Sequence, residues 1–186
     1  MDSNLYSALI PSSTAKVQAQ IVSVLSAFPE PIVRRVADVG STVRALKPHE
    51  RYADASPALR RLGIDVDAWL APPAGLFVVE ERTVYLRGRS PMTIAHEFGH
   101  AIDCALGGGV YLSGVMPEIR SAFLGARKFV TPYAATGIDE YFAESVRAYV
   151  EVNDSSSQWP VATKARLKGA DPAMYGIVDT LLRCAT

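Results

Sequence analysis

The chain has 186 residues, with 19 lysines and arginines against 19 aspartates and glutamates, and 49% of it is hydrophobic. That length suits one domain with a sizeable core. A net charge of zero lacks the basic excess of a nucleic-acid or anionic-membrane binder, no run is apolar enough to span a bilayer, and two cysteines make no disulfide framework. A buried thiol is expected at Cys104, in preference to a bridge to Cys184. The first residues show neither the basic region nor the apolar stretch of a secretory leader. The expectation is a soluble monomer, cytoplasmic as written or exported by a leaderless route.

In chain order, Ser13 is placed to cap a first helix over residues 14–28, with Val17, Ile21, Val24, Leu25 and Phe28 on its apolar face. Pro29 and Pro31 end it. Residues 31–39 read as a second short helix stopped by Gly40. Residues 41–47 read as a strand, and His49 as a polar loop residue. Ser56-Pro57 opens a helix that Gly63 closes, and residues 71–75 form a rigid proline-containing connector. Residues 76–80 and 83–87 are the best strands, joined at Glu81-Arg82 without the Gly or Asn that favours a tight turn. The second of these strands runs into the next helix. It is expected to lie beside a cleft with an open edge, where Val84, Tyr85 and Leu86 would take an extended peptide by backbone hydrogen bonds.

Residues 92–103 hold the motif His-Glu-x-x-His. Ser90 is a good N-cap, Pro91 suits the first helical position, and Ile94, Phe98, Ala101, Ile102 and Ala105 recur at helical spacing. On that helix His96 and His100 stand one turn apart on one face, about 6 Å along the axis, so both imidazoles can reach one ion. Glu97 lies beside them as a candidate general base. Residues 107–114 are glycine-rich and read as a mobile flap or turn. Residues 116–129 follow as a weakly capped helix. Residues 136–150 form a strong helix with a capping-box pattern at Thr136 and Asp139. Residues 155–157 are a loop, and Asp171-Pro172 caps a last helix to about residue 183.

A catalytic zinc site takes three protein ligands and keeps one position open. The metzincin pattern would put Gly at 103 and His at 106, but the chain has Asp103 and Leu106. No histidine follows His100, so a third imidazole would have to be His49, and a carboxylate fits better. Glu140 and Glu144 share a helical face with Arg147 nearby. Two carboxylates on a half-buried face need positive charge. Zinc with two imidazole N–H groups would supply it; so would Arg147 on a merely solvated acidic face.

His96-Glu-Phe-Gly-His-Ala-Ile-Asp103, then Tyr133, then Asp139-Glu-Tyr-Phe-Ala-Glu144 together resemble the catalytic domain of anthrax lethal factor and of the bacterial Pro-Pro endopeptidases. The resemblance covers roughly residues 75–150. It implies a zincin-like α+β fold: a mostly helical single domain, with a small mixed sheet of three to four strands flanking the active-site helix. Residues 1–70 would be an N-terminal helical part and residues 75–186 the catalytic part. It further implies one zinc ion held by His96, His100 and Glu140, the gluzincin type of ligand set, with Glu97 as general base and Tyr133 assisting in the cleft. Glu144, and less directly Asp103, are expected to orient the ligand imidazoles through a ring N–H. The activity implied is endopeptidase action on a peptide or protein substrate, in a secreted or effector protease of narrow specificity. The alternatives are a zincin-like binding module that holds metal and cuts nothing, and a metal-free structural domain.

Overall fold

A computed structural model describes residues 3–11 and 13–183 of the chain. Its helices are α1 (Ser3–Leu9), α2 (Ala15–Leu25), α3 (Glu30–Asp38), α4 (Tyr52–Ala55), α5 (Pro57–Leu62), α6 (Pro91–Leu106), α7 (Leu112–Val115), α8 (Pro117–Gly125), α9 (Ile138–Tyr149), α10 (Lys164–Ala170) and α11 (Pro172–Arg183). The strands are β1 (Thr42–Ala45), β2 (Gly75–Val78) and β3 (Thr83–Leu86). The architecture is the expected α+β one, mostly helical with a small mixed sheet.

Local chemistry accounts for most of the boundaries. Ser56 and Ser90 accept from the backbone N–H three residues on, at 3.1 and 3.2 Å, and a proline follows each. Gly63 ends α5 in the left-handed conformation, φ 66°. The first long helix is capped one residue later than expected, by Thr14 rather than Ser13. The capping box expected at Thr136 and Asp139 does not form. Gly137 is the N-cap of α9, and the Thr136 hydroxyl instead donates to the Tyr133 carbonyl at 2.8 Å, closing the turn before the helix.

The sheet order is β1-β3-β2. β1 runs parallel to β3 with Val43 opposite Val84, and β2 runs antiparallel to it with Leu76 opposite Tyr85. This overturns the open edge expected at residues 83–87. Val84, Tyr85 and Leu86 lie in the central strand, paired on both sides and buried, so their backbone is not free to bind a peptide. The outer strand on that side is β2. The turn between the two needs a left-handed residue, and Arg82 supplies it at φ 49°. Its guanidinium donates to the Val39 carbonyl at 2.6 Å, which ties the turn to the end of α3.

One sheet face packs on α6, and with α2, α3 and α9 builds the main core around Phe98, Ile94, Ile102 and Phe142. The other face is covered by a smaller cluster of Leu46, Tyr52, Leu59, Val66, Val78 and Tyr85. Cys104 is buried. Its pairing partner in question, Cys184, lies outside the described residues.

Candidate metal centre

Helices α6 and α9 touch backbone to backbone. A side-chain carbon built on Gly99 would stand 3.0 Å from the Ala143 Cα and 3.2 Å from its carbonyl oxygen. Glycine allows that approach without crowding, and a larger residue would have to push the Ala143 backbone aside by a few tenths of an ångström. Beside the contact, His96, about one turn before Gly99, and His100, next to it, face Glu140, about one turn before Ala143, and Glu144, next to it.

Three of these groups converge. His96 Nε2 lies 3.2 Å from His100 Nε2 and 2.9 Å from Glu140 Oε2, and His100 Nε2 lies 3.4 Å from the same oxygen. Ligands about 2.0–2.1 Å from a tetrahedral zinc stand about 3.3 Å apart, so the triangle has the right size. Glu140 Oε2 is buried with no hydrogen-bond partner among the described residues. An acceptor oxygen aimed at two imidazole nitrogens is the arrangement a cation resolves. His96, His100 and Glu140 therefore fit a metal ion.

The charges agree. Burial opposes the imidazolium form of His96, but the Glu140 and Glu144 carboxylates beside its two ring nitrogens outweigh it and push its pKa up to about 10. Burial likewise works against ionised Glu140, yet the two histidines hold its pKa down at about 2. Both shifts state one fact: the cluster calls for a positive charge, which either a proton or a metal ion can provide.

Glu144 sets the geometry of His96. Its Oε1 accepts from His96 Nδ1 at 3.0 Å, so the ring nitrogen that gives up its proton to a metal ion is Nε2, which faces Glu140 and His100. Three more donors hold the carboxylate: Thr131 Oγ1 at 2.5 Å, Arg147 Nε at 2.8 Å and Arg147 Nη2 at 2.9 Å. Burial would raise its pKa, but Arg147 first and His96 second keep it well below the usual carboxylate range. Asp103, the other residue expected to hold an imidazole, has both oxygens engaged elsewhere. They accept from Ser113 N at 2.8 Å and Ser113 Oγ at 2.6 Å. That fastens the 107–114 segment to α6, so the expected flap is a latched turn, and it carries Tyr111 against the His100 ring at 5.7 Å.

Glu97 is buried between α6 and the start of β2. A side-chain carbon on Gly75 would meet Glu97 Cγ at 2.4 Å, so glycine there makes room for the carboxylate. Burial raises its pKa, with His96 and His100 pulling the other way. Tyr133 stands on a 3-10 turn, 41% exposed. Its hydroxyl donates to Glu140 Oε1 at 3.2 Å, and its ring packs 5.4 Å from that of His96. Burial and then Glu140 raise its pKa, which keeps it a donor. A cleft of about 260 Å³ opens over these groups, lined by Pro73, Gly75, Met92, Tyr133 and Trp159 among others. His49 takes no part: it is an exposed loop residue at φ 64°.

Sequence reading had no hold on Gly99, Gly75 or Thr131. The two glycines matter only through what stands opposite them, and a threonine thirteen residues before its carboxylate leaves no local pattern.

No protein-family model matches the chain, and no curated protein matches it by sequence. Among solved structures the fold is similar to that of the Pro-Pro endopeptidase PPEP-2 from Paenibacillus alvei, with a TM-score of 0.66 and 20% identity over 95% of this chain and 99% of that one.

Proposed function

We propose that the protein is a zinc-dependent endopeptidase. The observation that carries this reading is the convergence of His96, His100 and Glu140 beneath an open cleft, with the buried Glu97 carboxylate beside them. Likeness to a Pro-Pro endopeptidase over nearly the whole chain supports it. When bound by those three residues, zinc supplies a Lewis acid that polarises a carbonyl and makes water acidic near neutral pH.

The protein's own groups do the rest. Glu97, with its raised pKa, takes a proton from the attacking water and returns it to the departing amine. Tyr133 leaves Glu140 Oε1 to donate to the oxyanion of the tetrahedral intermediate. Glu144, anchored by Thr131 and Arg147, keeps His96 in the tautomer that presents Nε2. The outer edge of β2, whose residue Gly75 lines the cleft, takes an extended peptide as an added strand. The peptide site expected at Val84, Tyr85 and Leu86 thus moves to the neighbouring strand.

The test is mass-spectrometric profiling of a diverse peptide pool with the zinc-loaded protein and with Glu97→Ala. Products from the first and none from the second are expected. Zinc bound by both proteins, with no product from either, would leave a silent binding module in place of an enzyme.

A further inference from the structure

The segment between α9 and α10 is closed at its neck. Asn153 Oδ1 accepts from Ala162 N at 2.9 Å, and Asn153 Nδ2 donates to Ala162 O at 2.8 Å. Arg147, 1% exposed, reaches the same neck. Its Nη1 donates to Val152 O at 3.0 Å and to Asn153 Oδ1 at 3.2 Å, while Nε and Nη2 hold Glu144. One guanidinium thus fixes both the carboxylate that orients His96 and the base of this loop. The loop carries Trp159, which lines the cleft 51% exposed, with its ring edge-on to Tyr133 at 6.5 Å.

Trp159 belongs to neither hydrophobic cluster, and its indole is left half in water at the cleft. The loop that carries it is fixed at its neck. Pro73 and Met92 line the same cleft, so part of its wall besides the two aromatic rings is apolar. A cationic side chain entering there finds no free partner in Glu144, whose oxygens are taken by His96, Thr131 and Arg147.

We propose that Trp159 is a specificity-determining residue, forming with Tyr133 an aromatic wall that receives a large apolar side chain of the peptide. This rests on the endopeptidase reading above. The experiment profiles cleavage of a peptide pool randomised at every position by the zinc-loaded wild type, Trp159→Ala and Asn153→Ala. The wild type should favour large apolar residues at one position relative to the cut bond. Trp159→Ala should lose roughly 10- to 100-fold of that preference, through KM more than kcat, with zinc content unchanged. Asn153→Ala, which frees the neck, should relax the same position. An unaltered profile in Trp159→Ala overturns the proposal, as does a wild-type preference for Lys or Arg at the affected position.

If the wild type binds zinc but cuts nothing, the endopeptidase reading fails on its own, and binding decides the role of Trp159. In Trp69→Phe the remaining tryptophan is Trp159. Its emission should shift on titration with a Leu- and Phe-rich decapeptide and stay still with a Ser- and Asn-rich one. No shift with either peptide overturns the proposal.

Discussion

Gly99 and Ala143 sit so close that a methyl group on Gly99 would press within 3.0 Å of the Ala143 backbone. The contact brings the candidate ligands on α6 within reach of those on α9. Gly99→Ala gains up to about 1 kcal/mol in helix propensity, but overpacking costs about 1–3 kcal/mol. The variant should unfold at lower temperature and bind zinc more weakly, because Glu140 is carried away from the imidazoles. Zinc competition against a chelator reads this, and an unchanged affinity would count against the contact as the spacer.

Glu144→Gln keeps the shape but removes the charge that holds His96 Nδ1–H. Losses from such partners run about 10- to 100-fold in metal affinity, and that range is expected here with the fold retained by circular dichroism. Affinity equal to wild type would mean that His96 orients itself.

Tyr133→Phe removes one donor at the cleft rim. A single oxyanion donor is worth about 100- to 1000-fold in kcat, so turnover of the best peptide should fall by that order while zinc content and thermal stability hold. Loss of zinc in parallel would assign the hydroxyl to positioning Glu140 instead.

Zinc should displace a proton. Before metal binds, His96 with its pKa near 10 carries a second ring proton at pH 7, and as a ligand through Nε2 it cannot. Calorimetric titration with zinc in two buffers of different ionisation enthalpy should report release of about one proton. Heats that do not depend on the buffer would contradict a protonated cluster.

Asp103 makes stability depend on pH in the direction opposite to Glu144. Burial raises its pKa to about 6 despite the Ser113 hydrogen bonds. The unfolded chain therefore ionises first. The stability that this group contributes is full below about pH 4 and lost as pH rises through about 6. Asp103→Asn abolishes that loss, so its stability relative to wild type should improve by up to about 3 kcal/mol between pH 4 and pH 7. Urea unfolding at both pH values measures it, and a constant difference would refute it.

The sequence makes α6 legible because its signals are local: a serine cap, a proline at the first position and an apolar stripe around the histidines. Glu140 and Glu144 are legible for the same reason, as neighbours on one helical face. Strand order is not local. Nothing in residues 83–86 announces that β1, some forty residues earlier, occupies the edge that seemed open. Thr136 and Asp139 carry a capping pattern, but the preceding turn claims the threonine hydroxyl. Asp103 points toward the next loop rather than an imidazole because Ser113 offers two donors within reach. The helices α1, α4, α7 and α10 are too short for periodicity to reveal them.

The parallel pairing of β1 with β3 has a consequence for anyone wishing to trim the protein. A fragment starting at the cleft strand would keep all three candidate metal donors yet strip the central strand of one neighbour and lay bare Val78 and Tyr85. Such a half-molecule should stick to its own kind through the exposed ladder before it could hold an ion. The early segments act as the keel of the half that carries the candidate metal centre.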